Sequence, residues 1–243
     1  MKVLLCALTA CSSMCFAERI HPREGTEWVV SYSYNATDEK TPRVLLIGDS
    51  ICNGYNSEVK NNLAGAVNVT FLATSKCVCD RSYLQLLDFF LSESRYQVIH
   101  FNNGLHSLGS NREDWEKQLR AAVRLCREKG NGAKIIWASS TPLKKADMTE
   151  KAKELNAIAA RVMKEENVPT NDLFALMDPL DREMFWSDTY HYKPAGNKLL
   201  AKAVSTAVLN ALGIKQAGAD EARRALEAAK TETGPSGKLD TTK

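Results

Sequence analysis

The run Arg43-Val-Leu-Leu-Ile47, closed by Gly48, constrains this chain more than any other feature. A strand with one wet face alternates apolar and polar residues, whereas an uninterrupted apolar run is the pattern of a strand buried on both faces of a parallel sheet. Val67, Val69 and Phe71, which alternate with polar residues, predict a second strand. Gln97–Phe101 and Lys134–Ala138 predict a third and fourth, and the stretch 168–173 is a short fifth candidate. Between these runs the apolar period lengthens from two to about 3.6. Trp115, Leu119, Ala122, Val123 and Cys126 share one helical face, with a capping-box pattern at Ser110 and Glu113 and Gly130 at the expected end. Leu84–Leu91 predicts a shorter helix, and Leu155, Ile158, Ala159, Val162 and Met163 mark another. Pro194 opens a last helix, whose Leu200, Val204, Ala207, Val208 and Ala211 face inward until Gly213. Strands alternating with helices imply right-handed crossovers, a parallel sheet and helices on both of its faces: an α/β fold. In such sheets ligands bind beyond the carboxyl ends of the strands.

Composition adds exclusions. With 44% hydrophobic and 25% charged residues the chain is neither low-complexity nor disordered, and a net charge of +3 with both signs interspersed leaves no nucleic-acid footprint. Residues 1–17 read as a signal peptide: Lys2, an apolar stretch to Ala17, and a length too short to span a bilayer. Leu8-Thr9-Ala10-Cys11 also matches a lipobox, so a lipid anchor at Cys11 is the second reading behind simple secretion. Either way the expected location is secreted, or periplasmic and cell-envelope. The organisation read from the sequence is an edge strand or lead-in over 18–42 with an aromatic patch from Trp28 to Tyr34, a domain over 43–213, and a polar, flexible tail over 214–243 in which 217–229 can extend as a helix. Cys52, Cys77, Cys79 and Cys126 lie beyond the leader. Cys126 is expected to be a free buried thiol, and a disulfide would join Cys52 to Cys77 or Cys79. Cys77-x-Cys79 lacks a second pair at ligand spacing, so no metal is expected.

The chemistry-bearing residues fall where the crevice is expected. Ser50, in Gly48-Asp49-Ser50 directly after the first buried strand, projects from a strand-to-helix turn beside backbone N–H groups, as a nucleophile would; an ordinary helix-capping serine would sit there too. Asp188-Thr-Tyr-His191 stands just before the Pro194 helix. A carboxylate three residues ahead of an imidazole can fold back on Nδ1 and leave Nε2 free to take a proton from a serine. Asn102 and Asn103 follow the third strand, where a carboxamide can donate to an oxyanion, with Asn102 preferred. His106 is a candidate for touching substrate, and Trp186 and Tyr190 for a stacking wall on either side of the Asp188–His191 loop; packing explains the aromatics equally well. His100, inside a strand, is expected to be a satisfied core residue, and His21 lies outside the domain.

These blocks resemble the GDSL or SGNH hydrolase family over roughly residues 43–212. Ile47-Gly48-Asp49-Ser50 is similar to its nucleophile block, Asp188-x-x-His191 to its acid–base block, and Trp137-Ala-Ser-Ser-Thr-Pro142 to its fourth-strand segment. The resemblance implies a three-layer α/β/α sandwich around a parallel five-stranded sheet, flavodoxin-like in type. It implies ester hydrolysis without metal or cofactor, with Ser50, His191 and Asp188 as nucleophile, base and orienter, and the Ser50 N–H with Asn102 or Asn103 in the oxyanion hole. The chain departs from the family twice. Its third block reads Asn102-Asn103-Gly104-Leu105-His106 instead of Gly-x-Asn-Asp, and its second block, Ala73–Cys79, has no glycine, so a backbone N–H near Ser75–Cys77 would have to substitute. A small-molecule or carbohydrate ester carrying a short acyl group is the expected substrate. Lipid esters and thioesters are the alternatives within the class, and a non-catalytic glycan-binding or envelope protein the alternative outside it. A nucleotide-binding protein ranks last, because no G-x-G-x-x-G follows the first strand.

Overall fold

The computed structural model describes residues 24–232; the leader with Cys11, His21, and the last residues, 233–243, lie outside the described residues. In chain order the elements are β1 (Val29–Ser33), β2 (Arg43–Gly48), α1 (Ser50–Asn62), β3 (Asn68–Thr74), α2 (Tyr83–Ser92), β4 (Val98–Phe101), α3 (Arg112–Lys129), β5 (Lys134–Ala138), α4 (Ala146–Glu165), β6 (Thr170–Asn171), α5 (Leu173–Met177), α6 (Arg182–Phe185), α7 (Pro194–Leu212) and α8 (Gln216–Glu232). They form one six-stranded sheet in the order β1-β3-β2-β4-β5-β6. Five strands are parallel, and β1 is antiparallel to β3. The continuous run of β2 is buried throughout, as a central strand between β3 and β4 must be.

Helices cover both faces. Trp115, Leu119, Val123 and Cys126 of α3 pack with α2 and α4 residues against Leu45, Ile47, Ile99 and Trp137 on one side. On the other, Val59 of α1 and Leu200, Val204 and Val208 of α7 pack against Val44, Leu46 and Phe71. Alternate residues of β2 therefore feed two cores, one on each face. The order of the parallel strands puts the chain reversal at β2 and β4, so the crevice of this sheet opens beyond their carboxyl ends.

The five parallel strands are joined by a sixth, because the segment read as an edge strand or lead-in contributes β1 as an antiparallel edge. The helix read over 217–229 is α8, whose Ala219 is fully buried in the second core, so this part of the tail is packed. Other expectations are corrected. The capping residue of α3 is Asn111, whose side chain accepts from Glu113 and Asp114 N–H; Ser110 instead contacts Cys77 Sγ. No disulfide links the four cysteines, all of which are free and buried. Cys52 belongs to the α1 face of the sheet and Cys77 and Cys79 to the opposite one, so the sheet itself separates the expected partners. Among the described residues no helix is long and apolar enough to cross a membrane.

His100 in β4 is fully buried; its Nε2 lies 3.1 Å from the Asn171 amide, and its Nδ1 has no partner. Burial pushes its pKa from 6.5 down to about 4. The unfolded chain therefore takes up a proton near pH 6.5 that the folded chain refuses until about pH 4, so stability is full above this window and falls as pH drops through it. Urea unfolding at pH 7 and pH 4.5 is expected to show a loss on the order of 3 kcal/mol at the lower pH. Most of that loss is expected to vanish in His100→Gln.

Candidate active site

The turn between β2 and α1 is shaped by three consecutive residues. A Cβ at Gly48 would fall 2.6 Å from Cys52 Cβ, so only glycine lets the strand run this tightly into the helix. Asp49, extended at φ −114° and ψ −152°, is the N-cap: its Oδ1 accepts from Ile51 N–H at 2.9 Å. Capping by Asp49 leaves the Ser50 hydroxyl uncommitted at the first position of α1. The Ser50 N–H lies in the first helical turn, where N–H groups have no partner within the helix.

Ser50 and His191, 141 positions apart, meet at 2.8 Å between Oγ and Nε2. On the far side of the ring, Nδ1 lies 2.9 Å from Asp188 Oδ2 and 3.1 Å from Oδ1. Asp188 Oδ1 also accepts from the backbone N–H of Tyr190 and of His191, so the loop folds around its own carboxylate. Partial burial pushes the Asp188 pKa up, but those two N–H groups and the imidazole outweigh it and hold the pKa at about 2. The carboxylate is thus ionised at neutral pH and favours the Nδ1–H tautomer, which leaves Nε2 to accept the serine proton. Buried Asp49 behaves oppositely. Desolvation raises its pKa against the pull of His106, the Ile51 N–H and His191, and its Oδ2 has no hydrogen-bond partner.

The loop that carries His191 is anchored by aromatic residues. Trp186 is almost fully buried, stacks near Tyr192 with centroids 4.5 Å apart, lies under the Arg182 guanidinium, and donates from Nε1 to Pro142 O. Its expected role as a substrate wall is corrected: it is the root of the loop. Tyr190, in contrast, is 40% exposed and lines the cleft.

The two carboxamides expected as oxyanion donors have other partners in this structure. Both N–H bonds of the Asn102 amide are taken, by Ala138 O at 2.8 Å and Ser140 Oγ at 3.2 Å. The Asn103 amide donates to Lys76 O, and its Oδ1 accepts from Val78 N–H and Ser107 Oγ. These two residues staple the loop after β4 to its neighbours. The close approach they hold requires Gly104, where a Cβ would stand 1.7 Å from Ser140 Oγ. The backbone N–H groups of the second block are committed as well: Ser75 to Trp28 O, Lys76 to Thr74 Oγ1, Cys77 to Asp80 Oδ2 and Val78 to Asn103.

Ser50 and His191 open into a cleft of about 610 Å³ shared with His106, Leu105, Met148, Tyr190, Trp28 and Glu24. His106 sits on a 3-10 turn at Leu105–Ser107; its Nδ1 is 2.6 Å from Glu24 Oε1, and its ring meets Trp28 edge-on at 6.0 Å. Sequence reasoning missed Glu24 and Trp28. Their only signal is position: β1 runs antiparallel to β3, so residues just before Val29 arrive at the carboxyl edge of the sheet. Among the described residues no cluster of His, Cys, Asp and Glu side chains is arranged to hold a metal ion. Because Asn103 satisfies two buried backbone groups, Asn103→Ala is expected to lower the unfolding free energy by about 2 kcal/mol in urea titrations, more than Asn102→Ala does.

No family model matches the sequence, and no curated protein matches it. Solved structures do match in fold. An acetyl xylan esterase aligns with a TM-score of 0.59 at 18% identity, covering 68% of this chain and 99% of its own. A member of the lipolytic G-D-S-L family from Veillonella parvula aligns at 0.57 and 17% identity, covering 68% and 96%. A GDSL-like lipase from Bacteroides thetaiotaomicron aligns at 0.55 and 12%, covering 70% and 88%. The chain has the GDSL/SGNH hydrolase fold.

Proposed function

We propose that this chain, built on the GDSL/SGNH hydrolase fold, is an exported serine esterase that removes a short acyl group, acetyl above all, from a carbohydrate. The observation that carries the reading is the unbroken relay Asp188–His191–Ser50, with contacts of 2.9 and 2.8 Å, at the carboxyl end of β2. The cleft supports the substrate class. Trp28 and exposed Tyr190 offer aromatic surface of the kind that packs on sugar rings, and among the described residues no long apolar segment roofs the groove. The apolar leader before Glu18 supports export.

In the first half-reaction the Ser50 Oγ forms a bond to the acyl carbon while its proton passes to His191 Nε2. The carbonyl π pair moves onto oxygen, where the Ser50 N–H at the start of α1 can donate to it. Collapse restores the carbonyl and expels the alkoxide, which leaves as the alcohol with the proton from His191. Water then attacks the acyl-enzyme, giving its proton to His191, and a second collapse releases the acid while His191 returns that proton to the departing Ser50 Oγ. Asp188 stays ionised throughout and stabilises the imidazolium.

Release of p-nitrophenol from p-nitrophenyl acetate, and of acetate from acetylated xylan, is expected from the full chain. Ser50→Ala is expected to abolish both, and Asp188→Asn to lower kcat by about 10⁴ by trapping the wrong imidazole tautomer. Activity that persists in Ser50→Ala, or no turnover on any sugar, lipid or thioester substrate, would sink this reading in favour of a non-catalytic glycan-binding protein.

A further inference from the structure

We propose that His106, gripped by Glu24, is the side-chain hydrogen-bond donor that completes the oxyanion hole. The inference rests on the esterase reading above and deepens it.

The first argument is elimination among neighbours. An oxyanion held by one backbone N–H is poorly stabilised, and such holes normally need more than one donor. The carboxamides that follow β4 cannot supply the second: Asn102 donates to Ala138 O and Ser140 Oγ, and Asn103 to Lys76 O. The N–H groups of Ser75 through Val78 already have partners. His106 lies on the turn after β4, the strand beside β2, and lines the same cleft as Ser50 and His191.

The second argument is the grip on the ring. Glu24 Oε1 sits 2.6 Å from Nδ1, and Trp28 meets the ring edge-on, so the imidazole is oriented from its Nδ1 side. Nε2, at the other side of the ring, is left without a partner among the described residues. A carboxylate at Nδ1 accepts a proton there, so Nε2 carries a proton only when the ring is an imidazolium. Donation from Nε2 thus draws on the imidazolium form, with Glu24 as its counter-charge, and a charge-assisted hydrogen bond suits a developing alkoxide better than one from a neutral amide does.

The third argument is reach. Leu105, the residue before His106, lines a small cavity together with Gly48, Asp49 and Asn102, and His106 itself lines the cleft of Ser50 and His191. The turn that carries His106 is thus seated against the nucleophile turn. The titratable groups that face His106 are Glu24 from the lead-in, Asp49 from the β2–α1 turn, and His191 and Tyr190 from the loop before α7. On the same lead-in, Glu27 is paired with Lys76.

During acylation the Nε2–H of His106 stays on nitrogen and shortens its hydrogen bond as charge builds on the carbonyl oxygen. Proton transfer remains between Ser50, His191 and the leaving alcohol.

The test uses the full chain and a neutral substrate, p-nitrophenyl acetate, with a fluorophosphonate probe that labels activated serines. His106→Ala is expected to lower kcat on the order of 10²-fold with KM nearly unchanged, and to slow labelling of Ser50 in parallel. His106→Gln, which keeps a neutral donor, is expected to recover part of that loss. Glu24→Gln is expected to fall between wild type and His106→Ala. Wild-type kcat in His106→Ala, or an effect confined to KM, would overturn the assignment while leaving the esterase reading intact. Absence of both Ser50-dependent turnover and Ser50 labelling in the wild type would instead overturn the esterase reading, and this inference with it.

Discussion

The site depends on one packing relationship, the pairing of α1 with α7. The two helices lie side by side and parallel: Ser50 meets His191 at the crevice end, and one turn on, Gly54 sits so close to Asn197 that a Cβ would stand 3.0 Å from its Oδ1. Further along, Glu58 and Asn62 face Lys198, Lys202 and Ser205 across a common groove. Both helices therefore begin at the carboxyl edge of the sheet, and the hydroxyl on one and the imidazole just ahead of the other are brought together by the same apolar face that builds the second core. The 2.8 Å contact is a consequence of helix packing as much as of local sequence.

Electrostatics divides the two aspartates of the site by their surroundings. Asp188 is about half exposed and ringed by donors, which keeps it ionised beside the imidazole. Asp49 is buried with one oxygen capping α1 and the other unsatisfied, so its charge is resisted. The former orients the base. The latter is a structural element of the turn, and its burial keeps it from competing with Ser50 for His191.

What was legible in the sequence follows from how local each signal is. The β2 run, the α3 stripe and the 188–191 loop are each defined by neighbours within a few residues, so pattern alone carries them. The relation between Ser50 and His191 came from topology, because both motifs flank helices that start at the crevice. The misreadings share a different cause: each turned on a partner that periodicity does not reveal. Asn102 and Asn103 look like free amides until the loop after β4 closes on β5 and on Lys76. Trp186 looks like a wall until Pro142, Arg182 and Tyr192 enclose it. Cys52 and Cys77 look pairable until the sheet is placed between them.

The edge strand β1 ties the lead-in to the crevice. The orienting carboxylate of His191 is three residues away and costs little chain entropy to position, whereas that of His106 is 82 residues away and must be delivered. Delivery is by register: Val29 pairs with Thr74 and Val30 with Ala73, and Trp28 closes the strand end by accepting from Ser75 N–H and Thr74 Oγ1 and donating to Ser75 Oγ. Those contacts place Glu24 beside the loop after β4 while using up the N–H of Ser75 in the second block. The same strand that removes a backbone donor from the crevice thus brings the carboxylate that holds an imidazole there.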